Sequence, residues 1–116
     1  MLILIPPSEG KSSNNTTEKK FHETNFIFSE QVKEIIEILK TKNEEIEKIY
    51  GTSLEKSKDL HENNLNVFSN QCSKAIERYT GVVYNQLDLN SFSEESKLYF
   101  NSNIRIFSGL FGMVKP

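Results

Sequence analysis

The sequence predicts an α/β fold, with α+β as the alternative: a small sheet of about three strands packed by several helices. Three observations predict it. Short apolar runs at residues 1–5 and 82–84, and an alternating pattern at residues 103–108, read as strands. The segments between them carry apolar residues at helical spacing. The resulting order is strand, helices, strand, helix, strand. The length of 116 residues suits one modest domain, although 36% hydrophobic residues is thin for a self-sufficient core.

The run MLILI at residues 1–5 ends abruptly at Pro6 and Pro7. A bounded, continuous apolar run reads as a buried central strand, open to water on neither face. The two prolines cannot extend its ladder. PPSEGKSSNNTTEKK, residues 6–20, is polar and turn-rich. A loop of that length is either functional or disordered. Phe21, Phe26, Ile27 and Phe28 supply apolar side chains to dock it back.

A helix begins near Ser29, with Ser29 as N-cap and Glu30 favourable in the first turn. Val32, Ile35, Ile36 and Leu39 form its apolar face, and Glu30–Lys33 and Glu37–Lys40 pair on the wet side. Asn43 caps a second, short helix with Ile46, Ile49 and Tyr50 as its stripe, ended by a left-handed Gly51. A third starts over residues 53–59, and Asn63, Asn64 and Asn66 make the next stretch weakly structured. Residues 70–79 read as a helix with Ala75, Ile76 and Tyr79 on one face. Gly81 ends it, and Val82, Val83 and Tyr84 read as the second strand. Ser91 or Ser93 caps a helix opened by Glu94 and Glu95, with Leu98, Tyr99 and Phe100 inward. In the third strand Ile104 and Ile106 alternate with Arg105 and Phe107, and SGLFG makes a tight turn. There are no repeats and no heptads.

Composition excludes several classes. No apolar run approaches the roughly 20 residues of a membrane helix, so no membrane partner is expected. Five apolar residues without a basic start do not make a signal peptide. The single cysteine, Cys72, excludes an internal disulfide framework and a multi-thiolate metal site. His22 and His61 stand far apart in polar stretches and read as exposed. They form no local metal motif. No cofactor and no metal are expected, and the chain reads as soluble and cytoplasmic. A net charge of −2 does not mark a nucleic-acid binder, but it leaves room for a local basic groove.

Two loops carry candidate chemistry. PPSEGKS follows a strand and contains GKS, like a phosphate cradle in outline, but the P-loop's first glycine position is Ile5. What remains is a weaker anion site made of Ser8, Gly10, Lys11 and Ser12 beyond a strand end. There Lys11 supplies charge and Gly10 lets backbone N–H groups approach. The competing reading is a solvated connection. In the second loop, SGLFG resembles a nucleophile elbow, but Ile106 stands where the elbow needs glycine, and no His or Asp follows Ser108. A hydrolase triad is rejected. Ser108 and Gly109 mark a turn, flanked by Arg105 and Lys115, which are able to bind phosphate or to be ordinary surface charges. Cys72 reads as a small buried hydrophobe on the helix of Ala75 and Ile76. Tyr84 reads as a core-edge tyrosine rather than a base-stacking platform, and Glu94-Glu95 as a helix start rather than a catalytic pair.

Three blocks, MLILIPPSEGKS, RYTGVVY at residues 78–84 and IRIFSGLFGMVKP at the end, resemble the YaaA family of bacterial peroxide-stress proteins in order and spacing. Ser8, Gly10 and Lys11 match its first block, Gly81 and Tyr84 its second, and Ser108, Gly109, Gly112 and Pro116 its third. Lys115 replaces the usual arginine, which keeps the charge and loses the planar fork. Members of that family are longer. The resemblance therefore implies that residues 1–116 are the amino-terminal part of a YaaA-like domain, an incomplete portion of a larger single-domain fold whose carboxy-terminal half is absent. It also implies a cytoplasmic protein that protects against hydrogen peroxide by limiting free iron and oxidative DNA damage. It further implies DNA binding through a positively charged cleft and a helix-hairpin-helix, which this chain does not place.

The leading expectation is a DNA-binding stress-protection protein whose nucleic-acid- or anion-binding residues are Ser8, Gly10, Lys11, Ser12, Arg105, Ser108, Gly109 and Lys115. Lys11, Arg105 and Lys115 would meet phosphates if the sheet brings them to one edge. One alternative is a pocket for a phosphorylated small molecule or a nucleobase, with Glu9, Lys11 and Ser108 as its polar groups. Another is a truncated fragment without activity of its own. No catalytic residue is identified.

Overall fold

The computed structural model describes residues 1–13 and 16–116. Asn14 and Asn15, in the middle of the expected loop, lie outside the described residues. The chain divides into two compact units. One is formed by Met1–Thr17 with Ser73–Pro116, the other by Glu18–Cys72. Among the described residues, six α-helices and a three-stranded mixed sheet make the fold α/β, as the sequence predicts.

The first unit contains the sheet. Strand β1 (Ile3–Ile5) runs parallel to β2 (Ile104–Ser108), with Ile3 beside Ile104 and Ile5 beside Ile106. Strand β3 (Gly112–Val114) returns antiparallel from the SGLFG turn and pairs Val114 with Ile106. In β2 the expected alternation holds: Ile104 and Ile106 are buried, and Phe107 is exposed. Ile106, with no exposed surface, sits in the core with Ile76, Tyr79 and Tyr84. Ile5, Phe100 and Val114 pack against that cluster.

Strand β1 is not the buried central strand that its sequence predicts. The centre belongs to β2, the only one of the three with a neighbour on each side. Among the described residues β1 pairs with β2 alone, and Leu2, Ile3 and Leu4 are substantially exposed.

The expected second strand is a single helical turn, α5 (Val82–Asn85). Gly81, at φ 116°, redirects the chain, and the Asn85 N–H closes the turn on its carbonyl at 2.8 Å. Val82 and Val83 point to solvent while Tyr84 is buried, with its ring stacked on Tyr79 at 5.3 Å. Three apolar residues are too few to hold an extended conformation against that anchor. Only the end of the expected helix over residues 70–79 forms, as α4 (Ala75–Arg78). Before it, Gln71 bridges Lys20, and the Cys72 N–H donates to the Lys19 carbonyl at 2.9 Å. These backbone groups find their partners in a ladder, so no helix is needed to satisfy them. Cys72 is therefore half-buried outside any helix.

The last helix, α6 (Glu94–Asn103), starts as expected. The Ser93 hydroxyl accepts from the Ser96 N–H at 3.2 Å, and Lys97 pairs with Glu94 at 2.7 Å. That pairing holds the Glu94 carboxyl below the usual glutamate range. Phe100 faces inward against Phe92, but Leu98 and Tyr99 are exposed, contrary to the sequence reading. A helical stripe places only one of three consecutive residues toward the sheet.

The second unit is helical. Helix α1 (Ser29–Lys40) buries Val32 and Ile36, and pairs Lys33 with Glu30 at 2.6 Å and Lys40 with Glu37 at 2.5 Å. Ser29 is its first residue, and Phe28 holds the cap position. Helix α2 (Ile46–Tyr50) ends on left-handed Gly51 as predicted. Helix α3 (Leu54–Leu65) runs straight through Asn63 and Asn64, which the sequence reading left weakly structured. Its stability comes from packing, because His61 is 6% exposed rather than on the surface. The His61 ring lies 3.2 Å from the Tyr50 hydroxyl and 3.0 Å from the Asn43 side-chain oxygen, and Asn64 donates to the same hydroxyl. Phe21 stacks obliquely on both Phe26 and Phe68.

Candidate functional site

The parallel register of β1 and β2 decides where the two candidate loops lie. Ile5 and Ile106 are neighbours, so PPSEGKS and SGLFG leave the sheet from the same end, at the carboxyl ends of adjacent strands. That is the end at which α/β sheets present ligand-binding loops.

The first loop is strapped to the RYTG segment. The Tyr84 hydroxyl donates to the Pro6 carbonyl at 2.6 Å and fixes where the chain turns off β1. The Ser8 hydroxyl donates to the Gly10 carbonyl at 2.7 Å, and the Thr80 N–H donates to the same oxygen at 3.0 Å. Lys11 bridges Tyr79 as an isolated antiparallel pair. One residue on, the Ser12 N–H donates to the Arg78 carbonyl at 2.7 Å, and the Arg78 guanidinium donates back to the Ser12 carbonyl at 3.3 Å. Gly10 is required by close approach, since a Cβ there would overlap the Thr80 hydroxyl. Gly81 lies nearby, where a Cβ would come 3.7 Å from that of Ser8. Thus the first and second blocks form one laced structure. Arg78, Tyr79 and Thr80 are the residues that sequence reasoning missed as supports, and the signal for them was the RYTG segment itself.

Lys11 carries the charge of this loop. Its ammonium sits 5.5 Å above the Tyr79 ring, with the Ser8 carbonyl at 3.4 Å and the Glu9 carbonyl at 3.5 Å. Tyr79 is held by the core beneath it, so the cation rests on a rigid aromatic face. Tyr84 is 7% exposed and spends its hydroxyl on Pro6, which makes it a core residue with no face open for base stacking. Burial, with Tyr79 beside it, raises the pKa of that hydroxyl above the ordinary tyrosine value.

The second loop is a turn held by its own serine: the Phe111 N–H donates to the Ser108 hydroxyl at 3.2 Å. A Cβ on Gly109 would meet nothing within 4 Å, so its backbone is open to approach.

Arg105 and Lys115 lie elsewhere. The Arg105 guanidinium turns back to the end of α6, donating to the carbonyls of Asn101 at 3.3 Å, Ser102 at 3.2 Å and Ile104 at 2.6 Å. It neutralises a helix C-terminus. Lys115 is exposed and follows β3 away from the SGLFG turn, level with the strand interior. The loop of Ser8, Gly10, Lys11 and Ser12 and the loop of Ser108 and Gly109 thus leave the sheet from the same end, whereas Arg105 turns to the end of α6 and Lys115 follows β3.

Among the described residues no group of three or more His, Cys, Asp and Glu is placed to hold a metal ion, and no helix is long and apolar enough to cross a membrane.

The chain is 34% identical, over 99% of its length, to an uncharacterized protein of Campylobacter jejuni. It is 32% and 30% identical, over its whole length, to UPF0246 proteins of Clostridium botulinum and Clostridioides difficile. It covers 49%, 46% and 47% of those three proteins, so the chain spans about half the length of the curated relatives it matches. Residues 1–116 all match the family described as peroxide stress protein YaaA, and the chain belongs to that family.

Proposed function

We propose that this chain contributes a phosphate-contacting surface to a peroxide-stress protein that binds DNA and limits iron-dependent oxidative damage to it. The observation that carries this reading is the shared sheet end: two loops, one bearing Lys11 over Tyr79 and one bearing the open backbone of Gly109, leave adjacent parallel strands together. Membership of the peroxide-stress family supports the biological setting.

Contacts of this kind position a protein on the backbone of nucleic acid without reading its sequence. With a net charge of −2, attraction has to come from the local arrangement and not from the molecule as a whole. Titrating labelled duplex and single-stranded DNA at about 50 mM and about 200 mM salt tests the proposal. Binding that weakens steeply with salt and ignores sequence is expected. Binding that is absent, or indifferent to salt, from both this chain and the full-length Clostridium botulinum relative overturns it.

A further inference from the structure

The amino-terminal strand is built for an interior and stands at an edge. Residues 1–5 are apolar without interruption, the pattern of a strand covered on both faces. Yet Met1, Leu2, Ile3 and Leu4 are 86, 53, 38 and 51% exposed. Among the described residues nothing pairs with the far edge of β1, so part of its backbone N–H and C=O groups faces away from any ladder. Edges left open are ordinarily blunted by charged side chains, prolines or bulges. Here the strand itself carries no charged side chain, and the prolines come only after it.

Beside this strand runs a groove of about 440 Å³. Ile3, Phe92, Tyr99, Phe100 and Ile104 line it with Glu95 and Ser96, so β1 and α6 share a largely apolar surface with one polar side. Apolar surface of this sort marks an interaction site. Each of the three relatives has about as much polypeptide outside the matched region as within it.

We propose that the free edge of β1 seats a strand from the other half of the YaaA-family polypeptide, the part of the relatives that this chain does not cover. The backbone of β1 hydrogen-bonds that strand by β-augmentation, and the groove between β1 and α6 receives an apolar side chain from it. The inference rests on family membership and on burial, and is independent of the nucleic-acid reading.

Hydrogen exchange on two intact proteins tests it. Amide protection needs a hydrogen-bond acceptor, so it distinguishes a paired strand from mere side-chain cover. In this chain the outward amides of residues 1–5 are expected to exchange fast while the chain sediments as a monomer. In the full-length Clostridium botulinum relative, the matching amides are expected to exchange at least about tenfold more slowly. Equally fast exchange in the relative overturns the proposal. So does slow exchange in this chain accompanied by dimerisation, because a second copy would then be the occupant.

Discussion

Gly81 and Tyr84 show how single residues hold the candidate site. At φ 116° and ψ −179°, Gly81 occupies a region that is essentially closed to side-chain-bearing residues. Gly81→Ala is expected to cost about 1–3 kcal/mol, read as a lower denaturation midpoint, with the loop of Ser8 disturbed first. Tyr84→Phe removes the donor to the Pro6 carbonyl and is expected to cost about 1 kcal/mol near neutral pH. The same tyrosine gives a pH dependence. Its folded pKa is raised by burial and by Tyr79, so the folded state keeps the proton longer than the unfolded chain. Its contribution is complete below the ordinary value of 10.0 and is lost as pH rises past it. Thermal melts between pH 9 and pH 11.5 are expected to fall more steeply for the native chain than for Tyr84→Phe; parallel slopes would contradict this. The place of Tyr84 at the core was legible in the sequence, but its helical turn was not, since VVY reads as a strand. Only the pairing of Tyr84 with Tyr79 and Pro6, far apart along the chain, sets its conformation.

Elements with local signals were legible, and those decided by distant partners were not. Helices α1, α2 and α6 and strand β2 announce themselves by apolar period, by Gly51 and by Ser93. Loss of the Ser93 cap tests one of those signals: Ser93→Ala is expected to destabilise α6 by about 1 kcal/mol, seen as faster amide exchange in its first turn. At the centre of the sheet, Ile106→Ala is expected to cost about 2–5 kcal/mol, because its side chain is fully buried and its backbone, paired with both neighbouring strands, cannot shift to fill the cavity. Residues 70–72 went the other way, since their backbone groups pair with Lys19, Lys20 and Phe21 rather than with each other. His61 was misread for a related reason. A polar stretch looks solvated until Asn43, Tyr50 and Asn64 are seen to converge on one ring and hydroxyl.

At the scale of the molecule, the sequence showed which loops matter more clearly than which cations join them. PPSEGKS and SGLFG were legible as strand-end loops, and the parallel pairing of β1 and β2 puts them at one end. Arg105, within β2, turns to a helix terminus, and Lys115 follows the returning strand β3, which strand alternation alone does not reveal. Lys11 is therefore the cation on which the proposed phosphate contact depends. The decisive measurement is the slope of log K for duplex DNA against log salt, compared between the native chain and Lys11→Gln. The account predicts weaker binding to every sequence tested and a slope shallower by about 1. An unchanged slope and affinity in Lys11→Gln would contradict it.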